Sequence, residues 1–273
     1  MLNIIYSLIA GVVQGLTEFL PVSSSGHLLV LHDFLKFDFV DNLAFDVVLH
    51  WGTLLALIIF FRKDLVRYAL AFFGSFRHWN IKENLDQRLA WYLALATIPA
   101  GLAGLLWENQ IETVLRASWL VAVMLILFGF FLYLADVIFS KSKEMGQLNT
   151  SGALIIGVAQ ALALIPGVSR SGATIIAGLS QKLKRDQAAR FSFLLSVPIV
   201  FLAGLKKIVD LISVDALMSG DWLILAVGFF ASFISGYFCI KYFLRFLQSH
   251  SLKIFAYYRI IFGIIILLVL YFG

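Results

Sequence analysis

The sequence predicts an all-α integral membrane protein made of two inverted-topology repeats, each a re-entrant helix–loop–helix followed by three transmembrane helices. Three observations predict it. The chain is 61% hydrophobic and only 14% charged, whereas soluble domains carry about 25% charged residues. Six apolar stretches have the length of a membrane span, roughly 20 residues. Finally, GVVQGLTEFLPVSSSGH at 11–27 returns as GVAQALALIPGVSRSGA at 157–173, an offset of 146 residues.

The first element, Ile4–Lys36, is apolar but interrupted by Pro21, Ser23, Ser24, Ser25 and Gly26. Each arm is too short to cross a bilayer, so the segment is expected to dip in and return. Leu43–Phe61, Leu89–Trp107 and Trp119–Phe139 follow as full spans. Residues 62–88 are the one sizeable polar stretch, expected as a basic loop lying on anionic lipid headgroups. A second broken hairpin covers 151–180, and Ala188–Leu205, Trp222–Ile240 and Ile254–Phe272 complete the set. Pro99 and Pro198 mark kinks. Repeat one is thus 1–145 with its hairpin over 4–36, and repeat two is 146–273. Together they form a single membrane domain.

Eight of the seventeen aligned positions are identical, among them Gln14/Gln160, Ser23/Ser169, Ser25/Ser171 and Gly26/Gly172. The same offset sets Phe45 on Phe191. Three spans per repeat is an odd number, so the second repeat is upside down relative to the first, and the two hairpins face each other near the midplane. With residues 62–88 in the cytoplasm, fourteen Lys and Arg fall on that side against four outside (Lys36, Arg116, Lys206 and Lys207). Both termini then face outward, the first hairpin enters from outside and the second from the cytoplasm. The basic excess is a topology signal, and nucleic acid is not an expected partner. Cys239 is the only cysteine, which excludes an internal disulfide. The opening MLNIIYSLIAGVVQ has neither a basic leader nor a cleavage pattern, so no removed signal peptide is expected.

Ionisable groups at membrane depth are costly and mark function by default. The first hairpin offers Glu18 and His27, with Gln14 at i−4 from Glu18 and therefore on the same helical face. The second offers Arg170 between Ser169 and Ser171, followed by Gly172 and Thr174. A guanidinium fork, hydroxyls and turn amides at a helix start suit an anion, best a phosphate. Beside it, Glu18 is read either as a counter-ion to Arg170 or as a group that binds a cation or moves a proton. Glu18 and Gln14 are the candidate metal ligands for Mg²⁺ or Ca²⁺. His27 is a candidate base or nucleophile, and Ser23, Ser24 and Ser25 are candidate nucleophiles or phosphate contacts. Elsewhere, Asp46 and His50 lie one turn apart and either extend the polar cavity or satisfy each other. Arg259, after Tyr257 and Tyr258, is expected to snorkel in an aromatic belt. Asp136 is expected at a solvated membrane edge.

Gln14-Gly15-Leu16-Thr17-Glu18, running into Phe19-Leu20-Pro21-Val22-Ser23-Ser24-Ser25-Gly26-His27, resembles the (E/Q)-x-x-x-E region of bacterial undecaprenyl-pyrophosphate phosphatases of the bacitracin-resistance type. Pro166-Gly167-Val168-Ser169-Arg170-Ser171-Gly172-Ala173-Thr174 is similar to their P-G-x-S-R-S-x-x-T motif. The resemblance covers essentially the whole chain. It implies removal of the terminal phosphate of undecaprenyl pyrophosphate, dependence on a divalent cation, and a site opening to the outer face of the bacterial inner membrane. It implies catalytic roles for Glu18, Ser24, His27 and Arg170. Ser23, Ser25, Gly26, Ser169, Ser171, Gly172 and Thr174 are the matching substrate contacts. Gln14 stands where many relatives carry Glu, so a second carboxylate ligand is missing. The partners expected are a polyprenyl pyrophosphate lipid and the membrane. The sequence does not set the oligomeric state, and a homodimer is one state it allows.

Two other readings meet the same residues. Inverted repeats with broken helices are also a transporter signature, so a lipid-phosphate or anion carrier is the alternative function. Ser25-Gly26-His27 suggests a type 2 phosphatidic-acid phosphatase, but no His follows Ser169-Arg170 at the required distance, which excludes it.

Overall fold

The computed structural model describes residues 2–35, 42–113, 117–213 and 222–272, and every regular element among them is helical. In order these are α1 (Leu2–Thr17), α2 (Ser24–Leu35), α3 (Asn42–Phe60), α4 (Arg62–Ser75), α5 (Leu85–Thr113), α6 (Ser118–Ile138), α7 (Thr150–Leu162), α8 (Arg170–Ser180), α9 (Arg185–Ser213), α10 (Trp222–Leu247) and α11 (Lys253–Phe272). The hairpin boundary at Lys36 and the charge at Arg116 lie outside the described residues. Helices α5, α6, α9, α10 and α11 are long and apolar enough to cross a membrane, and α3 joins them if its bend into α4 is counted as one broken span.

Helices α1 and α7 are short for physical reasons. Sixteen and thirteen residues rise about 24 and 20 Å, less than the roughly 30 Å hydrocarbon core. Each stops within a few residues of a proline, Pro21 or Pro166, which cannot donate to the next turn. The chain then reverses into α2 and α8. Pro99 lies inside α5 and Pro198 inside α9.

Packing crosses between the two halves. Helix α1 lies along α10, α7 lies along α5, and α6 lies along α11, while α3 touches both α9 and α10. These approaches use small residues, as helix pairs in lipid do. A Cβ on Gly11 would come 2.5 Å from the Gly228 carbonyl oxygen, and one on Gly157 would come 2.5 Å from that of Ala96. Neither neighbour is a flexible side-chain tip, so α7 would have to back away from α5. Gly157→Ala is expected to cost about 1–3 kcal/mol, seen as a lower thermal midpoint in detergent. Gly101→Ala, whose Cβ would meet nothing within 4 Å, is the neutral comparison.

The polar ends of the helices meet at one end of the bundle. Arg190 Nη2 reaches Asp64 Oδ2 at 2.5 Å, Arg88 Nη2 donates to the Gly146 carbonyl, Lys184 pairs with Glu144, and Lys143 and Leu183 form a backbone bridge. Two expectations are corrected here. Residues 62–88 are not simply a loop, because α4 runs from Arg62 to Ser75, with α3 and α4 meeting at 79°. Its buried face is built by helical spacing: Tyr68 is buried, and Leu65 and Phe72 pack on the main core. Asp136 is not solvated. Its side chain is fully buried, pairs with Arg185 Nε at 2.5 Å and accepts the Leu252 N–H at 3.2 Å, so it ties together the starts of α9 and α11.

Candidate functional site: the junction of two hairpin turns

The two turns that the repeat aligns share an unusual backbone. Ser23 and Ser169 have φ of 73° and 71°, a region that serine rarely occupies. Each is bonded to the serine two residues on, Ser23 to Ser25 at 3.2 Å and Ser169 to Ser171 at 3.1 Å. Ser169 Oγ also accepts the Gly172 N–H at 3.1 Å, capping α8. The echo of serines is therefore an echo of geometry, a tight turn that starts a helix.

Across the junction the halves are bonded directly. Arg170 Nη2 donates to Glu18 Oε1 at 2.7 Å, so the counter-ion relation raised by the sequence is present. The other carboxylate oxygen, Oε2, accepts the Ser24 hydroxyl at 2.6 Å and the Gln14 amide at 3.1 Å, with His50 Nε2 3.7 Å away. Ser171 Oγ donates to the Leu20 carbonyl at 2.9 Å.

A cavity of about 210 Å³ opens beside this pair. Its polar wall holds Glu18, Ser23, Ser24, Ser25, His50, Gln160, Ser169 and Arg170, and its apolar wall holds Ala100, Ile199, Val200 and Ala203. One charged pair, hydroxyls and an aliphatic side make a pocket suited to an anionic head joined to an apolar body. Ala100 stands fifteen residues beyond Leu85, at the start of α5, or about 22 Å along the axis. The cavity therefore lies well away from the basic end of the bundle.

The other predicted residues stand behind the wall. His27 is 9% exposed and does not line the cavity. Its Nδ1 contacts the Ser23 carbonyl at 2.8 Å, its Nε2 contacts the Tyr258 hydroxyl at 2.7 Å, and its ring stacks on Phe262. Thr174 is fully buried, bonded to the Arg170 carbonyl at 2.7 Å and to Ser192 Oγ at 2.6 Å. Gly26 and Gly172 leave room for Val121 and for the guanidinium of Arg259. Asp46 and His50 do not pair through their side chains: the Asp46 carboxylate meets His32 at 2.9 Å, and His50 Nδ1 turns to the Asp46 backbone carbonyl at 2.7 Å. That frees His50 to line the cavity.

Arg259 overturns an expectation outright. It does not snorkel; it is fully buried and donates to the carbonyls of Pro21 at 3.1 Å, Gly167 at 2.8 Å, Val168 at 2.9 Å and Leu125 at 3.3 Å. The Pro21, Gly167 and Val168 oxygens belong to the two turns, where no helix satisfies them, and the Leu125 oxygen adds a contact to α6. Planar donors on a fixed fork can reach several carbonyls at once. The signal in the sequence was the stripe Ala256, Arg259, Gly263 and Ile266, the buried face of α11. Gln160 was visible only as the echo of Gln14.

Among the described residues no three His, Cys, Asp or Glu converge. Glu18 is, among the described residues, the only carboxylate in the cavity wall. Gln14 Oε1, behind the cavity wall, is buried with no hydrogen-bond partner among the described residues, so Glu18 and this amide oxygen are the hard donors that would hold an ion with phosphate oxygens as its other ligands.

Comparison with known proteins gives the family. The family model "Bacitracin resistance protein BacA" matches residues 7–265. Undecaprenyl-diphosphatase of Rubrobacter xylanophilus is 46% identical, with 95% of each chain covered. Undecaprenyl-diphosphatase 1 of Pseudoalteromonas translucida is 43% identical over 96% of this chain and 97% of its own. Undecaprenyl-diphosphatase of Paenarthrobacter aurescens is 41% identical over 100% and 99%. With two hairpin turns meeting over a buried Arg–Glu pair, and with relatives matched end to end, this chain belongs to the bacitracin resistance protein BacA family.

Proposed function

We infer that the chain is an undecaprenyl-diphosphatase, a membrane phosphatase that removes the terminal phosphate of undecaprenyl pyrophosphate and leaves the lipid monophosphate. The observation that carries the reading is the Ser24–Glu18–Arg170 constellation on the cavity wall. Arg170 and the turn amides bind the pyrophosphate. The Ser24 hydroxyl, already donating to Glu18, gives that carboxylate its proton as Oγ bonds to the terminal phosphorus. The bond from phosphorus to the bridging oxygen breaks, the proton passes to that oxygen, and the lipid monophosphate leaves. A water then gives a proton to Glu18 and attacks phosphorus, and the departing Ser24 oxygen takes the proton back as inorganic phosphate is released. His27 acts as a positioning residue, since its contacts are with the Ser23 carbonyl and Tyr258.

A Mg²⁺ or Ca²⁺ ion would be held by Glu18 and the Gln14 amide oxygen, and when bound it supplies charge neutralisation on the phosphate oxygens. The two halves are read as inverted-topology repeats, a reading supported by the matched φ of Ser23 and Ser169 and by the crossed packing of α1 on α10 and α7 on α5. The outward opening of the site and the outward placement of both termini rest on the basic end of the bundle facing the cytoplasm.

Purified protein is expected to release phosphate from undecaprenyl pyrophosphate with Mg²⁺ or Ca²⁺ and to stop when EDTA is added. Rapid quenching and mass spectrometry should find phosphate on Ser24, and Ser24→Ala should lose at least about 100-fold in kcat. Full turnover by Ser24→Ala would remove the covalent step. No release by the wild type would remove the phosphatase reading.

A further inference from the structure

Gln160 is 2% exposed and lines the cavity, yet neither end of its amide has a hydrogen-bond partner among the described residues. The repeat explains how this arises. In the first hairpin Gln14 spends its amide N–H on Glu18, four residues on. In the second the residue four places on is Leu164, so the same glutamine stands in the same kind of arm without its carboxylate. A buried primary amide with no partner is unfavourable, and a leucine would sit there at no such cost. Arg170 Nη1, on the same hairpin and the same cavity, is likewise buried without a partner among the described residues. Two unused donors in the wall of one cavity call for a ligand rich in acceptors.

We propose that Gln160 is a substrate-binding residue whose Nε2 donates to a phosphate oxygen of the pyrophosphate, working with Arg170 Nη1. The assignment rests on the phosphatase reading. It divides labour between the two glutamines that the repeat aligns: Gln14 serves Glu18, and Gln160 serves the substrate. The other residues that the second hairpin's first arm gives to the wall, Ala163 and Leu164, are apolar, so Gln160 is that arm's polar contribution to the cavity.

The test is Gln160→Leu beside Gln160→Asn in the purified full chain. The measurements are KM and kcat for undecaprenyl pyrophosphate, the inhibition constant of inorganic pyrophosphate, the thermal midpoint and the Mg²⁺ midpoint for activity. Gln160→Leu is expected to raise KM and weaken pyrophosphate inhibition about ten- to a hundredfold. The thermal midpoint should be equal or higher, and the Mg²⁺ midpoint unchanged. An unchanged KM overturns the proposal, and a fallen thermal midpoint with unchanged KM assigns Gln160 to structure instead. A shifted Mg²⁺ midpoint with unchanged pyrophosphate inhibition also overturns it, making the amide oxygen a cation ligand. If the wild type itself releases no phosphate, the phosphatase reading fails first and takes this proposal with it.

Discussion

Arg259→Met is expected to abolish the folded site. The side chain is buried among backbone oxygens and no carboxylate pairs with it among the described residues, so its stabilisation comes from the carbonyls of Pro21, Gly167, Val168 and Leu125. Hydrogen bonds to a charged donor contribute about 1.5–3 kcal/mol each, and buried acceptors left unmade cost about 1–3 kcal/mol each. Burying the guanidinium opposes this, but removing it strands oxygens on both turns at once. A net loss of more than about 3 kcal/mol follows, with the thermal midpoint lowered and phosphate release reduced at least about 100-fold. Arg259→Lys should fare little better, since an ammonium offers its donors from one point and does not span three segments. A stable, active Arg259→Met protein would show that the turns hold each other without this link.

Arg170→Ala should have the largest effect on chemistry. The substitution removes the fork that meets phosphate and leaves Glu18, 7% exposed on its side chain, without its cation. Loss of a preorganised donor costs about 10²–10³ in rate, and the uncompensated buried carboxylate lowers stability as well. A fall of about a thousandfold in kcat/KM is expected. Glu18→Gln should match it by removing the proton acceptor for Ser24, while keeping the shape and an oxygen to accept the Gln14 amide. Circular dichroism and gel filtration should stay close to wild type for Glu18→Gln. An Arg170→Ala enzyme within tenfold of wild type would place phosphate recognition elsewhere.

What the sequence made legible and what it hid follow from the range of each interaction. The spans are local facts of composition, so each predicted span falls on a helix and starts within four residues of it, while α5, α9 and α10 run six to eight residues further at their C-terminal ends. The broken hairpins were legible because Pro21 and Pro166 stop short apolar helices and because the serine turns repeat. The pair Glu18–Arg170 was legible because two opposite charges at membrane depth need partners. Helix α4 was hidden because the spacing of Leu65, Tyr68 and Phe72 is interleaved with Arg62, Lys63 and Arg67, so the basic composition dominated. Arg259 was hidden by its neighbours in sequence: Tyr257 and Tyr258 are 52% and 45% exposed, but each residue turns about 100° on a helix, so the next position faces inward. Asp136 was hidden because its partners, Arg185 and Leu252, are far along the chain. The cavity wall needed three dimensions, since Gln160, His50 and Ala100 come from three helices that no motif links.

The central claim is that the two hairpin turns form one pyrophosphate site rather than two independent ones. A double-mutant cycle on kcat/KM with Glu18→Gln, Arg170→Ala and the combination tests it most directly. The account predicts strong coupling, with the double variant no more than about tenfold below the weaker single variant. Losses that simply multiply, to about a millionfold, would contradict it.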